Sequence, residues 1–318
     1  MPSSDAGRML DAIPRRSNQP GVSIPGASSS VWYHCSPAIP SRSSASDGAS
    51  PPGVVVASVG MAAKLPALDP DPAREQEDLE HYLGDRFELD RLQRYQVQLD
   101  EEYSRCGDEQ AFYRSSQAYL YNLTAFAMTG TKLPYLRELM RLLPPPARVL
   151  DYGCGIGSDG LVLLDAGYQV EFADFDNPST EYLRWRLARR GIEAPVHDLD
   201  RAVPNGFDGA YAFDVIEHVD DPFAFLGEME RRSDLVLVNL LEPKPEEEEQ
   251  EIHHELPIDE LLRRAAAQRL RSYRIHHGSS HLVAYSPGNP SAAETLAARI
   301  RLFSGRARRQ AARIVRGR

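Results

Sequence analysis

The sequence has few cysteines and no long apolar run. Its 318 residues include only Cys35, Cys106 and Cys154, which are far apart and odd in number. This argues against a disulfide framework and against a paired-cysteine metal site. No stretch approaches the roughly 18 consecutive apolar residues of a membrane span, and the chain does not open with a basic and then an apolar segment. We therefore expect a cytoplasmic protein with no transmembrane segment.

Residues 1–72 lack a sustained hydrophobic period. They are crowded with Ser, Pro, Gly and Ala, as in "SPAIPSRSSASDGASPPG". Such a segment buries too little apolar surface to offset the entropy lost on ordering. The sequence predicts that residues 1–72 are disordered.

Negative charge prevails, but it is unevenly spread. The net charge is -10, and the last 20 residues carry eight Arg and no acid, so the rest of the chain carries -10 - 8 = -18. A chain this acidic is not expected to bind nucleic acid. Residues 288–318 are predicted to be a solvated Arg-rich tail. Apolar residues recur in this tail at helical intervals, which favours the alternative that it docks on an anionic partner or membrane surface: Ile300, Phe303, Ala307, Ala311, Ile314 and Val315.

The hydrophobic pattern divides the remaining chain in two. Residues 73–143 have apolar positions at three- and four-residue spacing, which predicts a helical cap. From residue 144 to 287, short apolar runs alternate with helical segments, which predicts an α/β domain with a doubly wound parallel sheet. The last two runs, "RSYRIHH" and "HLVAYS", form a predicted hairpin, so the sheet should end with an antiparallel strand.

The glycine-rich stretch after the first predicted strand allows two interpretations. "GIGSDG" matches the dinucleotide fingerprint G-x-G-x-x-G, whereas "DYGCGIG" matches D-x-G-x-G-x-G. A pyrophosphate is repelled by carboxylates, and this stretch has Asp151 and Asp159 but no Lys or Arg between Arg148 and Arg184. S-Adenosylmethionine carries a sulfonium and an ammonium instead, so the charges favour this cofactor over NAD.

Two further acids follow later strands. Asp174 ends "YQVEFAD", where a carboxylate can accept both hydroxyls of a ribose, a role shared by the sites of both cofactors. Asp198 follows the third strand and is placed to accept the adenine amino group, with Leu199 available to cover the ring.

With these motifs in order, the chain resembles the class I S-adenosylmethionine-dependent methyltransferases. "VLDYGCGIG", "VEFADFD", "VHDLD" and "FDGAYAFDVIEHVDDP" carry the resemblance, which spans about residues 132–287. It implies a seven-stranded, mostly parallel sheet with an antiparallel last strand. It also implies that Asp174 binds the ribose, that Asp198 binds the adenine, and that Phe213 forms the inner wall of the cofactor site. The methionine part of the cofactor would lie against Asp151, Gly153, Gly155 and Gly157. Asp176 departs from the Ser or Ala of many relatives and is either a turn cap or a cofactor contact.

Histidines are the candidate catalytic residues. His218 follows the fourth strand and could accept a proton from the acceptor, although the alternative, that "EH" only orients the loop, is slightly favoured. His253 and His254 follow the fifth strand and could bind substrate or act as the base. No spacing matches a metal signature, so no metal is expected. We expect packing roles for Cys154 and for His276, His277 and His281 in the hairpin.

The acceptor should contact the helical cap. Four aromatic residues lie close together in "FYRSSQAYLYNLTAF": Tyr113, Tyr119, Tyr121 and Phe126. They could form part of a lid over the cofactor, or they could simply pack on the sheet. Arg114 is a candidate to bind a carboxylate of the substrate or of the cofactor.

The best interpretation is a methyltransferase acting on an O or N atom of a small metabolite. The alternatives are methylation of a peptide or protein, a non-catalytic cofactor-binding partner subunit, and, less favoured by the charges, a nucleotide-dependent oxidoreductase.

Overall fold

One seven-stranded sheet organises the described part of the chain. The computed structural model describes residue 68 and residues 71–106, 109–242 and 254–316, with backbone alone at 98, 109, 110 and 306–316. The sheet order is β3-β2-β1-β4-β5-β7-β6. Strand β7 is antiparallel to both neighbours and the other neighbouring pairs are parallel, which confirms the predicted fold class. The strands are Arg148–Tyr152 (β1), Gln169–Asp174 (β2), Val196–Asp198 (β3), Gly209–Ala212 (β4), Val236–Leu241 (β5), Arg269–His276 (β6) and Ser280–Ser286 (β7).

Helices precede, connect and follow the strands. Those before β1 are Pro72–Leu83 (α1), Leu89–Gln93 (α2), Tyr95–Cys106 (α3), Glu109–Ser115 (α4), Ala118–Met128 (α5) and Leu133–Leu142 (α6). Those after β1 are Ser158–Asp165 (α7), Pro178–Arg189 (α8), Pro222–Arg232 (α9), Ile258–Ala267 (α10) and Ala292–Arg316 (α11). Two short 3-10 helices, Gly84–Arg86 and Ile216–His218, lie between them.

Side-chain caps fix where the connecting helices begin. Asp221 Oδ1 accepts hydrogen bonds from the N–H groups of Phe223 and Ala224 at 3.0 and 2.9 Å, and Pro222 occupies the first turn. An acid at the N-cap followed by proline in the first turn is a typical helix start. At α8, Asn177 and Thr180 form a reciprocal capping box. Both caps place the helix start next to the carboxyl end of a strand.

The sheet is covered on both faces. Val236 and Val238 of β5 belong to one buried cluster with Phe225 of α9 and Leu261 of α10. Leu237, between them, belongs to a second cluster. Successive side chains of a strand point to opposite faces, so this alternation separates two helical layers. The second cluster contains Leu136 of α6, Leu161 of α7 and Leu183 of α8.

A buried arginine fixes the first cap helix to the second layer. Arg186 of α8 is fully buried, and its guanidinium lies 2.7 Å from Glu75 Oε1 and 3.2 Å from Asp78 Oδ2, both on α1. A buried charge is tolerated only when it is paired in this way. The position of α1 on α8 is therefore set by charge pairing as well as by apolar contact.

The C-terminal segment corrects the prediction of a solvated tail. The first half of α11 packs on β6, where Ala298 is buried and Arg301 Nη1 donates to the carbonyl oxygens of Leu270 and Arg271 at 2.6 and 3.1 Å. Gly305 lies so close to Tyr273 that an added Cβ would be 2.4 Å from its ring. The helix thus covers an edge strand, which otherwise exposes unpaired backbone groups.

At the other end, residues 1–67 of the predicted disordered segment lie outside the described residues. Leu68 is buried and its carbonyl oxygen accepts a hydrogen bond from Arg137 Nη2. Among the described residues, no helix is both long and apolar enough to cross a membrane.

Candidate functional site

The loop between β1 and α7 has a conformation that requires glycine. Gly153, Gly155 and Gly157 have φ angles of 80°, 51° and 72°. A Cβ added to Gly153 would lie 2.6 Å from Val215 Cγ1, and one added to Gly157 would lie 2.3 Å from Leu183 Cδ1. Positive φ and close packing both exclude a larger side chain. These glycines therefore allow the loop to pack closely at the carboxyl end of β1, where Gly153 and Gly155 are half-buried and Gly157 is buried.

Asp174 ties this loop to the end of β2. Its Oδ2 accepts the N–H of Gly155 and its Oδ1 accepts the N–H of Phe175, both at 2.7 Å. Burial raises the pKa of Asp174 above its usual range, and these two hydrogen bonds oppose the shift. Each carboxylate oxygen can accept more than one hydrogen bond, so capacity for further donors remains.

The acid predicted after the third strand lies beside Asp174. Asp198 and Asp174 are register partners in the parallel pair of β3 and β2. Asp198 Oδ1 accepts the N–H of Asp200 at 3.0 Å, and its Oδ2 lies 3.3 Å from Arg201 Nε. The N–H of half-buried Leu199 donates to the Asp174 carbonyl oxygen. Asp174, Asp198 and Leu199 thus meet at one edge of the sheet, as their strand-end positions predict.

Asp151 is a buried acid in an unfavourable setting. Its Oδ2 makes no well-formed hydrogen bond among the described residues, and the Tyr211 hydroxyl is the neighbour that most opposes the rise in its pKa. Burial, followed by the charge of Asp159, raises the pKa of Asp151 to about 8. A cation in this region would stabilise the carboxylate, whereas an anion would add to the repulsion.

Lys132, which sequence reasoning missed, lies among these acids. Its Nζ donates to the Phe213 carbonyl oxygen at 3.0 Å and lies 3.6 Å from carboxylate oxygens of both Asp159 and Asp214. Burial alone would lower the pKa of Lys132, but the two carboxylates raise it above its ordinary value. The interval from Arg148 to Arg184 has no basic residue, yet the fold supplies one from the segment before α6.

Two more unpredicted acids follow β4. Asp214 has a φ of 56° and is held by Asn239 of β5, whose Oδ1 accepts the Asp214 N–H at 2.8 Å and whose Nδ2 donates to Asp214 Oδ1 at 2.6 Å. Glu217 is 2% exposed, and neither carboxylate oxygen has a hydrogen-bond partner among the described residues. Burial and the charge of Asp214 raise its pKa to about 8.

These groups make the region at the carboxyl ends of the parallel strands strongly acidic. Five carboxyl groups and one lysine lie here, and the negative charge of one carboxyl group raises the pKa of a neighbour: Asp159 and Asp174 act on Asp151, and Asp214 acts on Asp159 and Glu217. This environment suits a cationic ligand and disfavours a pyrophosphate. The five are Asp151, Asp159, Asp174, Asp214 and Glu217.

Helix α4 brings a tyrosine to the predicted catalytic histidine. The Tyr113 hydroxyl lies 2.8 Å from His218 Nδ1, and the two ring centroids are 5.4 Å apart. The Tyr119 ring is 5.3 Å from that of Tyr113. Burial, together with the charge of Asp174, raises the pKa of Tyr119, so its hydroxyl stays protonated. His218, Tyr113 and Tyr119 therefore form one group above the strand ends.

The same short helix contacts the loops after β2 and β3. Arg114 forms a bidentate pair with Asp200 at 2.7 and 3.0 Å, and its guanidinium lies 4.3 Å from the centroid of the Phe175 ring. Asn177 Nδ2 donates to the Tyr113 carbonyl oxygen at 3.2 Å. Arg114 was predicted to meet a carboxylate of the substrate or cofactor, but here it pairs with the protein's own Asp200. Helix α4 thus spans the ends of three strands.

Two other predicted side chains are committed to packing. Tyr121 is 2% exposed, and its hydroxyl donates to the Arg86 carbonyl oxygen at 3.3 Å and accepts the Glu88 N–H at 3.0 Å. The Phe213 ring is buried between Tyr211 and Tyr135, with centroid distances of 5.0 and 5.3 Å. Both side chains are therefore held in contacts within the protein itself.

The remaining histidines are dispersed. The His254 N–H donates to the Glu217 carbonyl oxygen at 2.8 Å, which brings the chain after β5 beside His218, whereas His253 lies outside the described residues. His276 and His281 are in β6 and β7, and His277 is in the turn between them. The described residues contain no group of His, Cys, Asp or Glu side chains arranged to hold a metal.

Three other side chains near the loop have local partners. Cys154 packs against the second buried cluster, and burial raises the pKa of its thiol. Asp176 is exposed and pairs with Arg184 at 2.8 Å. Lys132 Nζ lies 6.0 Å from the centroid of the Phe126 ring.

Comparison with known proteins agrees with this geometry. Residues 129–274 match a family model described as a methyltransferase domain. The ubiquinone biosynthesis O-methyltransferase of Xanthomonas campestris pv. campestris (strain B100) is 30% identical over 105 residues, which are 31% of this chain and 43% of that protein. The protein of the same name from Xanthomonas axonopodis pv. citri (strain 306) has the same identity over the same shares. The matched part therefore spans less than half the length of these curated relatives.

Solved structures of methyltransferases are also similar. The mitomycin 7-O-methyltransferase MmcR has 17% sequence identity and a TM-score of 0.45, covering 69% of this chain and 74% of that one. A SAM-dependent methyltransferase from Aquifex aeolicus has 16% identity and a TM-score of 0.40, covering 50% of this chain and 93% of that one.

Proposed function

We propose that the chain is a class I S-adenosylmethionine-dependent methyltransferase and that it transfers a methyl group to an oxygen or nitrogen atom of a small metabolite. The observation that carries this proposal is the position of α4 across the ends of β2, β3 and β4, with Tyr113 in contact with His218. A helix in this position would cover an acceptor bound at the strand ends. Such a cover favours a compact acceptor over a protein surface.

The residues at the edge of the sheet fit S-adenosylmethionine. The closely packed backbone at Gly153, Gly155 and Gly157 would lie against its methionine part, next to the buried carboxyl of Asp151. Asp174 would accept the ribose hydroxyls, and Asp198 with Leu199 would contact the adenine. The unpartnered, buried carboxyl groups are the observation that supports this fit, because a cation compensates them.

The raised pKa values predict that cofactor binding depends on pH. Asp151 and Glu217 each have a pKa of about 8 in the free protein, so both are largely protonated at neutral pH. A bound cation stabilises the carboxylate and lowers these pKa values, so binding releases protons. Affinity for S-adenosylmethionine should therefore rise between about pH 6 and about pH 8.

Calorimetry in buffers of different ionisation enthalpy would count the released protons. S-Adenosylhomocysteine lacks the sulfonium and should show a shallower rise in affinity. An affinity for S-adenosylmethionine that is constant or falls over this range would contradict the proposed cation site.

The mechanism requires alignment and, for a hydroxyl acceptor, removal of one proton. The cofactor, when bound, supplies a methyl group on a good leaving group, so holding the acceptor in line accounts for much of the acceleration. The His218 imidazole would accept the proton that a hydroxyl acceptor loses. Tyr113, at 2.8 Å from Nδ1, orients this ring.

Replacing His218 by alanine tests the proposed base. We expect turnover to fall by about 100-fold or more while cofactor affinity stays the same, since general-base catalysis contributes on this scale. Tyr113→Phe should have a smaller effect and change the pH dependence of kcat. His81→Ala, on the distant helix α1, is the matched control. Equal turnover in His218→Ala and the parent would remove His218 from the mechanism.

Screening identifies the acceptor class. The protein is incubated with S-adenosylmethionine and separate panels of small phenols, small amines and peptides, and S-adenosylhomocysteine is measured. Turnover confined to the small-molecule panels supports the proposal. Turnover on peptides alone, or cofactor binding with no turnover in any panel, contradicts it in favour of a peptide methyltransferase or a non-catalytic subunit.

A further inference from the structure

Helix α11 presents an apolar stripe to solvent. Leu296, Ile300 and Phe303 are 60%, 57% and 76% exposed. Spacings of four and three residues place these positions on one face of a helix. Large apolar side chains exposed singly are ordinary, but three in one line on a single face form a patch that indicates an interaction surface. We call these three residues the α11 stripe.

The opposite face of the helix is already used. Ala298, Leu302 and Gly305 lie against β6 and the first buried cluster. The α11 stripe therefore cannot be covered by the sheet without displacing these contacts. It faces away from the domain.

Beyond the described side chains, the sequence continues the same pattern. The helical backbone extends to Arg316, and positions 307, 311 and 314, which share the face of the stripe, hold Ala, Ala and Ile. The last 20 residues contain eight Arg and no Asp or Glu. An apolar face flanked by arginines on a helix of 25 residues is the pattern of a helix that lies in a membrane interface.

We propose that α11 binds the surface of an anionic membrane, with the stripe in the acyl–headgroup boundary and the arginines on lipid phosphates. The stripe runs along the length of the helix, so the helix would lie parallel to the surface. A nucleic acid would pair with the arginines but leave the stripe in water. A stable protein interface takes about 20 to 30 residues on each side, far more than this stripe offers. This surface is independent of the proposed methyl transfer.

Vesicle cosedimentation of the full chain tests the proposal. The lipid is phosphatidylcholine with about 30% phosphatidylglycerol, and pure phosphatidylcholine is the comparison. Wild type should bind the anionic vesicles and bind pure phosphatidylcholine much more weakly. Ile300→Ser with Phe303→Ser should reduce the partition coefficient about ten-fold or more, because the arginines remain but the apolar contact is lost.

A matched variant controls for general hydrophobicity. Leu89 and Val97 are also exposed apolar residues, each 47% exposed, on the N-terminal helices. Leu89→Ser with Val97→Ser should bind vesicles like wild type. Circular dichroism and S-adenosylhomocysteine titration of each variant check folding separately from membrane binding.

Three results would overturn the proposal. The first is wild type that remains in the supernatant with both vesicle types. The second is equal loss of binding in the two double variants. The third is a stable dimer in solution that the Ile300→Ser and Phe303→Ser changes dissociate, since a second copy would then cover the stripe.

Discussion

Replacing Gly157 by alanine should greatly weaken cofactor binding. The residue has a φ of 72° at the start of α7, and the new Cβ would lie 2.3 Å from Leu183 Cδ1 in the buried second cluster. The left-handed conformation costs alanine about 1 kcal/mol, and relief of the collision adds about 1 to 3 kcal/mol. Because the loop must move to relieve both, we expect affinity for S-adenosylhomocysteine to fall at least about 100-fold.

A second glycine separates backbone strain from collision. Gly191 has a φ of 65°, but an added Cβ there would meet no atom within 4 Å. Gly191→Ala should lower the free energy of unfolding by about 1 kcal/mol and leave cofactor affinity unchanged. Calorimetric titration and denaturant unfolding of both variants make the comparison. Tight binding by Gly157→Ala would show that the ligand does not contact this loop.

Replacing Asp174 by alanine should weaken cofactor binding by about 1 to 3 kcal/mol, as expected when buried donors lose their acceptor. The variant loses the two bonds of 2.7 Å that hold Gly155 and Phe175 as well as the proposed acceptor of the ribose hydroxyls. Affinity for S-adenosylhomocysteine measured by calorimetry gives the size of the effect.

Asp176 provides the matched control for Asp174. It lies two residues later, but it is exposed and pairs only with the exposed Arg184 among its described ion-pair contacts. An exposed ion pair contributes about 0 to 1 kcal/mol, so Asp176→Ala should leave affinity within about two-fold of the parent. If both variants lost affinity equally, charge in the region, and not the position of Asp174, would be responsible.

Much of the fold follows from local sequence patterns. The strands and connecting helices were predictable because apolar runs, glycine ends and the Asp221 cap are local signals. Asp174 and Asp198 were predictable neighbours because parallel strands end at the same edge of a sheet. The positions of residues at strand ends were therefore enough to predict the part of the candidate site that lies on the sheet.

Residues brought in from distant segments were not predictable in this way. Lys132 meets Asp159 and Asp214 only because α6 packs on the sheet, and no sequence spacing links these positions. Arg114 and Tyr121 were placed by residue type, yet tertiary contacts with Asp200 and with the backbone of residues 86–88 decide their roles. A helical pattern in the tail was visible, but its packing on β6 depends on the hairpin being at the sheet edge.

Calorimetric titration of the full chain with S-adenosylmethionine, S-adenosylhomocysteine and NAD tests the central claim most directly. The account predicts binding of the first two with a Kd on the order of micromolar and no binding of NAD, because the acidic strand edge accepts a cation and repels a pyrophosphate. Binding of NAD, or of none of the three, would contradict it.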